Sequence, residues 1–210
     1  MVARFRKKHT FRVIAHRRHE ARIADRLASV SDRAALDEIE AITNPRRKFP
    51  GGDENEMVIA SFAYSGNSRF TDGSYGVYYA AFEQRTAIAE SAYHTARFLA
   101  YTQTRPTLVY KRVLTADVKG TYDDIRTVPA TDPIYDPDPD RYAAAQAYAL
   151  GLYAADLVDG VVYRSVRAAG GTCVVAFRPG LIVNCETAGF LAYTYDGARI
   201  DEIFALEPIT

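Results

Sequence analysis

An α+β fold is the class this sequence predicts, on three observations. Residues 76–82 (GVYYAAF) are a β-rich apolar run entered through Gly73 and Gly76, which reads as a strand. Residues 85–100 place Ala87, Ile88, Ala92, Tyr93 and Phe98 at roughly helical spacing. Residues 160–179 (GVVYRSVRAAGGTCVVAFRP) read as strand, Gly170–Gly171 turn, strand. No regular repeat orders these elements, and nothing in the chain separates two domains.

The other elements follow in order. Residues 10–15 (TFRVIA) predict a first strand. Residues 20–42 carry Ile23, Leu27, Val30, Leu36, Ile39 and Ile42 as a helical face, interrupted near Ser29–Asp32 and ended by Asn44–Pro45. A polar loop fills 46–55, and MVIASFAY (57–64) reads as a strand leading into the loop that bears Arg69. PTLVYKRVLTADV (106–118) alternates as a strand should. TVPATDPIYDPDPD (127–140) is a Pro/Asp surface loop, and RYAAAQAYALGLYAADL (141–157) is an Ala-based helix. Three strands are expected within 160–207. The reading is one domain over 1–210, with a basic, helical part at 1–55 and a core at 56–210.

Composition narrows the function classes. At 210 residues the chain can bury a real core as one domain. Apolar residues make up 48% and charged residues 25%, the balance of a soluble globular protein. A formal net charge of zero argues against direct nucleic-acid binding, which usually needs a basic domain. The balance is uneven: residues 1–22 hold eight Lys and Arg against Glu20, whereas 117–140 is rich in Asp. The basic segment reads as a solvated face or a contact for an acidic segment of a protein partner, in preference to a weak nucleic-acid contact. No apolar run reaches the roughly 18 residues of a membrane span, and no signal peptide is evident. Cys173 and Cys185 sit in apolar strand-like settings and read as reduced thiols, so a cytoplasmic location is expected.

The chemistry concentrates between Arg69 and Glu90, in RFTDGSYGVYYAAFEQRTAIAE. A strand followed by a helix can bring Arg69, Tyr79 and Glu90 to one cleft. A guanidinium offers a planar fork of donors suited to a pyrophosphate. A phenol ring can stack on a flat heteroaromatic such as nicotinamide. A carboxylate beside the ribose can stabilise the positive charge that develops at the anomeric carbon during glycoside cleavage. Nicotinamide leaves as a neutral group, so no strong general acid and no metal are required. Ser165 and Arg167, at the end of the strand in 160–165, are candidates for holding the nicotinamide amide or a ribose.

The segments SRF…GVYYA…TAIAE…H (68–94) and VVYRSVRAAGG…AF (161–177) resemble the RES-domain family of bacterial toxins. The Arg, Glu and Ser that give the family its name match Arg69, Glu90 and Ser165. The resemblance implies a fold related to the ADP-ribosyltransferase toxins: a curved, mostly antiparallel pair of sheets around an NAD cleft, with helices outside. It implies NAD+ as substrate rather than as a cofactor, consumed by hydrolysis or phosphorolysis or used to ADP-ribosylate a protein acceptor. It also implies a cognate Xre-like helix-turn-helix antitoxin that blocks the active site. Two positions depart from the family pattern: Thr71 where Asn often follows the Arg–aromatic pair, and Arg85 where Glu often precedes Thr-Ala.

Blander roles compete at each position. Arg69 alone would read as a loop residue in a surface ion pair, and Glu90 as half of a structural salt bridge. Neighbouring strand residues face opposite ways, so either Tyr78 or Tyr79 is core; the family spacing selects Tyr79. Tyr64 and Phe70 flank Arg69 and are candidates for the nicotinamide or adenine pocket, against core packing. Ser165 lacks a G-x-S-x-G elbow, so it is not read as a nucleophile. His94, one turn beyond Glu90, either orients that carboxylate or simply packs. His16 and His19 lack an accompanying ligand set, and no metal is expected. Two other functions stay open: protein mono-ADP-ribosylation, and a non-catalytic nucleotide-binding module.

Overall fold

The computed structural model describes residues 1–16, 56–64 and 66–207, and the helix expected at 20–42 and loop at 46–55 lie outside the described residues. The first strand, β1 (Val2–Ala15), begins eight residues before the predicted one. It pairs antiparallel with β3 (Thr107–Asp124) from Val2↔Asp123 to Ala15↔Lys111, with a bulge between Phe5 and Lys8.

Residues 57–64, read as a strand, form a helix instead: α1 (Glu56–Ala63). Val58 and Phe62, four residues apart, are each 1% exposed on its buried face. A short apolar run satisfies either period, and here the i,i+4 pair decides it. The end of α1 lies so close to the next segment that a Cβ on Gly76 would meet Phe62 O at 2.2 Å. Only glycine fits there.

β2 (Tyr78–Ala81) and α2 (Gln84–Tyr101) follow as a strand–helix unit. β2 pairs with β5 (Thr172–Ala176) from Tyr78↔Ala176 to Ala81↔Cys173, and touches β1 through Phe11↔Ala81. β3 ends in the Pro/Asp segment, which forms two short 3-10 turns at Pro133–Tyr135 and Pro139–Arg141. Then comes α3 (Ala143–Ala155), which seats Ala145 and Ala149, both fully buried, against the sheet side of the molecule.

Four strands, not three, occupy 160–207: β4 (Gly160–Arg164), β5, β6 (Ile182–Tyr195) and β7 (Ile200–Leu206). The last of them, β7, pairs antiparallel with β6, which runs beside β3 over most of its length. Every pairing is antiparallel except β3 with β4.

The expected pair of sheets is one seven-stranded sheet, ordered β1-β2-β5-β4-β3-β6-β7. β1 also pairs with β3, so the first five strands close on themselves and β6 and β7 extend beyond. Alternation along the strands sends side chains to two cores. Tyr78, Leu114, Val118, Tyr122, Val162 and Val174 join α1 in one core. Val161, Tyr163, Cys173 and Val175 pack with Phe70, Tyr75 and α3 in the other. Among the described residues, no helix is long and apolar enough to cross a membrane.

Candidate active site

The alternation of β2 settles the tyrosine pair. Tyr78 is 1% exposed in the α1-side core, so Tyr79 faces the other way, into a cleft of about 550 Å³. That cleft lies between α2 and the face formed by β1, β2 and β3, and Arg69, Tyr79 and Glu90 all line it.

The loop before β2 is folded tightly enough to hold Arg69 inward. Thr71 Oγ1 donates to Tyr75 O at 2.7 Å and accepts from Gly73 N at 3.0 Å. Tyr75 OH donates to Phe70 O at 2.6 Å. Gly73 sits at φ +96°, a conformation that suits glycine. From α3, Gln146 Nε2 donates to Ser68 O at 2.9 Å and ties the loop down. Arg69 is thereby 6% exposed. It donates to Ile134 O at 2.9 Å and to Tyr142 OH at 3.2 Å, with its guanidinium 4.3 Å from the Tyr142 ring centre. Neither acceptor is a carboxylate, so its charge stays available to an anion in the cleft.

Tyr79 OH accepts from Phe70 N at 2.9 Å and shares a 2.9 Å hydrogen bond with Ser68 Oγ. Burial raises its pKa to about 12, against the opposing pull of those hydrogen bonds and of Arg69. Tyr79 is therefore a neutral phenol whose hydroxyl is already committed to the Arg69 loop.

Glu90 projects from the second turn of α2, with its side chain 23% exposed. Ser165 Oγ donates to Glu90 Oε1 at 2.6 Å. The serine hydroxyl in turn accepts from Arg167 N at 3.0 Å and Ala168 N at 2.9 Å, in the turn between β4 and β5. Two backbone donors thus polarise the hydroxyl that fixes the carboxylate. Ser165 is not on the cleft wall; it stands behind Glu90. His94 Nε2 lies 3.9 Å from Glu90 Oε2. Its pKa is pulled down to about 4, by desolvation first and then by Arg167, Arg69 and Arg97, so the ring is neutral at pH 7.

Three other candidates lie elsewhere. Phe70 is fully buried and packs edge-on against Tyr163 at 4.8 Å, so it is core, and only its N–H serves the site. Tyr64 is 59% exposed and off the cleft wall. Arg167 lies 3.4 Å from the Tyr93 ring centre and donates to Pro137 O, also off the wall. The structure adds Tyr142, Tyr163, Cys173 and Lys111 to the wall. Lys111 was detectable in principle: in PTLVYKRVL it takes an inward place between Val109 and Val113. Tyr142 gave no such signal, because its partner Arg69 is 73 residues away. Among the described residues no His, Cys, Asp and Glu cluster could hold a metal.

A sheet-and-helix cleft holding an Arg, a Tyr and a Ser-braced Glu is the candidate site of this α+β protein. The RES domain family model matches residues 40–196, and the chain belongs to that family. The family is associated with NAD-using enzymes. The chain is also 25% identical to the uncharacterized protein y4oC of Sinorhizobium fredii (strain NBRC 101917 / NGR234), over 96% of this chain and 89% of that protein.

Proposed function

We propose that this chain is the toxin of a toxin–antitoxin pair and cleaves the nicotinamide–ribose bond of NAD+, on a frame of the ADP-ribosyltransferase type. The observation that carries the reading is the Glu90 carboxylate, held at 2.6 Å by Ser165 on the same cleft as Arg69 and Tyr79. Arg69 takes the diphosphate and Tyr79 packs its ring against nicotinamide. The bonding pair leaves with nicotinamide, which becomes neutral, and the ribose carries the positive charge as an oxocarbenium ion. Glu90 stabilises that cation, and Ser165 acts through Glu90 rather than on the ligand.

Water, phosphate or a protein side chain then donates its electron pair to the anomeric carbon and loses a proton. A non-catalytic nucleotide module could use the same carboxylate to accept from ribose hydroxyls, and it would bind NAD+ without releasing nicotinamide. A helix-turn-helix antitoxin covering the mouth would hold the toxin silent.

The test is purified protein with NAD+, following nicotinamide and the ribosyl product by chromatography, with and without phosphate and cell lysate. Nicotinamide release that depends on Glu90 supports the reading, and the product names the acceptor. ADP-ribose on a lysate protein would mark a protein mono-ADP-ribosyltransferase. No nicotinamide under any condition, from protein free of antitoxin, overturns the reading.

A further inference from the structure

The cleft has a second end that bond cleavage does not use. Strand β1 sets its length: Phe11 lies opposite Ala81, near Tyr79, whereas Ala15 lies opposite Lys111. All of these residues line the cleft. Four strand residues separate the two points, roughly 13 Å. Along that span the wall is apolar, with Val13, Leu99 and Val109, and Ser91 supplies a hydroxyl from α2.

Lys111 closes this far end. It is 9% exposed. Among the described residues its ammonium meets no carboxylate and no hydrogen-bond acceptor; the contact it makes is with the Tyr193 ring, 5.7 Å from the centre. Burial alone pulls its pKa down. A partly desolvated ammonium at the end of a cleft, with no carboxylate beside it among the described residues, attracts an anion delivered by a ligand. Arg69 stands at the Tyr79 end, so a diphosphate held there leaves the adenosine to run along the apolar wall towards Lys111.

We propose that Lys111 receives a phosphate carried on the 2′-hydroxyl of the adenosine ribose, so that the cleft prefers the 2′-phosphorylated dinucleotide to its unphosphorylated counterpart. The inference rests on the dinucleotide reading of the cleft, and its test is a binding measurement independent of turnover.

Calorimetric titration with adenosine 2′,5′-bisphosphate and with 5′-AMP compares ligands that differ only in the 2′-phosphate. The wild-type protein should bind the bisphosphate about tenfold more tightly or better, equivalent to about 1.4 kcal/mol. Lys111→Met, which keeps the apolar stem, should reduce that ratio to near one. Lys111→Arg, which keeps the charge, should retain much of it. Thermal melting checks that both variants fold, and Lys111→Gln replaces the Met variant if that one does not. Equal affinity of the two ligands for wild type, or a preference untouched by loss of the Lys111 charge, overturns the inference. NAD+ cleavage without a 2′-phosphate preference refutes this inference alone. A Lys111-dependent preference without any cleavage upholds the subsite and refutes the catalytic reading.

Discussion

Glu90→Gln is the sharpest perturbation of the site because it changes charge and little else. The amide oxygen can still accept from Ser165 Oγ, now at 2.6 Å from Oε1. No cation is stranded by the change, since His94, 3.9 Å away, is neutral at pH 7 with its pKa near 4. The fold should therefore hold, with a melting temperature within a few degrees of wild type. Turnover should not. Unit charges 4 Å apart interact by about 4 kcal/mol at an effective dielectric of 20, which at about 1.36 kcal/mol per decade is three decades of rate. The side chain is 23% exposed and the ribosyl charge is only partly formed at the transition state. The working figure is thus a loss of about 10²-fold in kcat, the range seen when one preorganised electrostatic partner is removed. The assay is steady-state nicotinamide release by chromatography, paired with calorimetric NAD+ binding. Affinity should stay within a few fold, because Arg69 and Tyr79 are untouched. A Glu90→Gln protein that turns over within threefold of wild type would refute the assignment of the cation to this carboxylate.

Other perturbations test the surrounding parts. Ser165→Ala removes the hydroxyl donor to Glu90 Oε1, leaving the Cys173 thiol there, and the acceptor of the Arg167 and Ala168 N–H groups. It should lower kcat about tenfold with little change in KM, because the carboxylate loses the donor that fixes it; an unchanged kcat would make the serine merely structural. For His94 the folded pKa, about 4, lies below the ordinary 6.5, so the unfolded chain binds the proton more readily. Its contribution is complete above about pH 6.5 and is lost as pH falls towards 4. Melting curves of His94→Gln should fall less steeply over that window, and parallel curves would refute the desolvated ring. Gly76→Ala drives a methyl to 2.2 Å from Phe62 O. It should cost about 1–3 kcal/mol or more in chemical denaturation; an unchanged midpoint would mean that α1 can shift freely.

How far the sequence reveals this molecule follows from the range of the interactions involved. The α2 helix, β2, and the β4–turn–β5 unit were readable because their periods are local, and glycines mark the entry to β2 and the turn between β4 and β5. The 57–64 segment was misread because Val58 and Phe62 satisfy a helix only when a sheet face is there to receive them. The closure of β1 on both β2 and β3 has no local signature, since it pairs residues more than 60 positions apart. Within the site, spacing and family likeness placed Arg69, Tyr79 and Glu90 on the strand–helix unit. Position behind the wall, as for Ser165, or away from it, as for Arg167, depends on where a turn sends a side chain, and spacing does not encode that. Phe70 was ambiguous for the same reason: its N–H and its ring do separate jobs.

The order of charge along the cleft gives the proposed chemistry its direction. Among the described residues on the wall, Glu90 is the one carboxylate. Among the described residues Arg69 and Lys111 are cations without carboxylate partners, while the Arg12 guanidinium is engaged with Tyr79 O and the Tyr78 ring. A ligand with a cationic ring at one end and phosphates further along can satisfy all three groups in a single orientation. Reversed, it would set phosphate against Glu90 and leave the ring cation beside Lys111, and both contacts would be repulsive. Binding and bond cleavage are then coupled through one arrangement: the phosphates that anchor the ligand also fix its anomeric carbon beside the carboxylate. That coupling makes a specific demand on kinetics. Arg69→Gln, which removes the anchor but not the stabiliser, should raise KM more than it lowers kcat, whereas Glu90→Gln should do the reverse. If both variants lost kcat alone, Arg69 would belong with the bond-breaking step and the directional argument would fail.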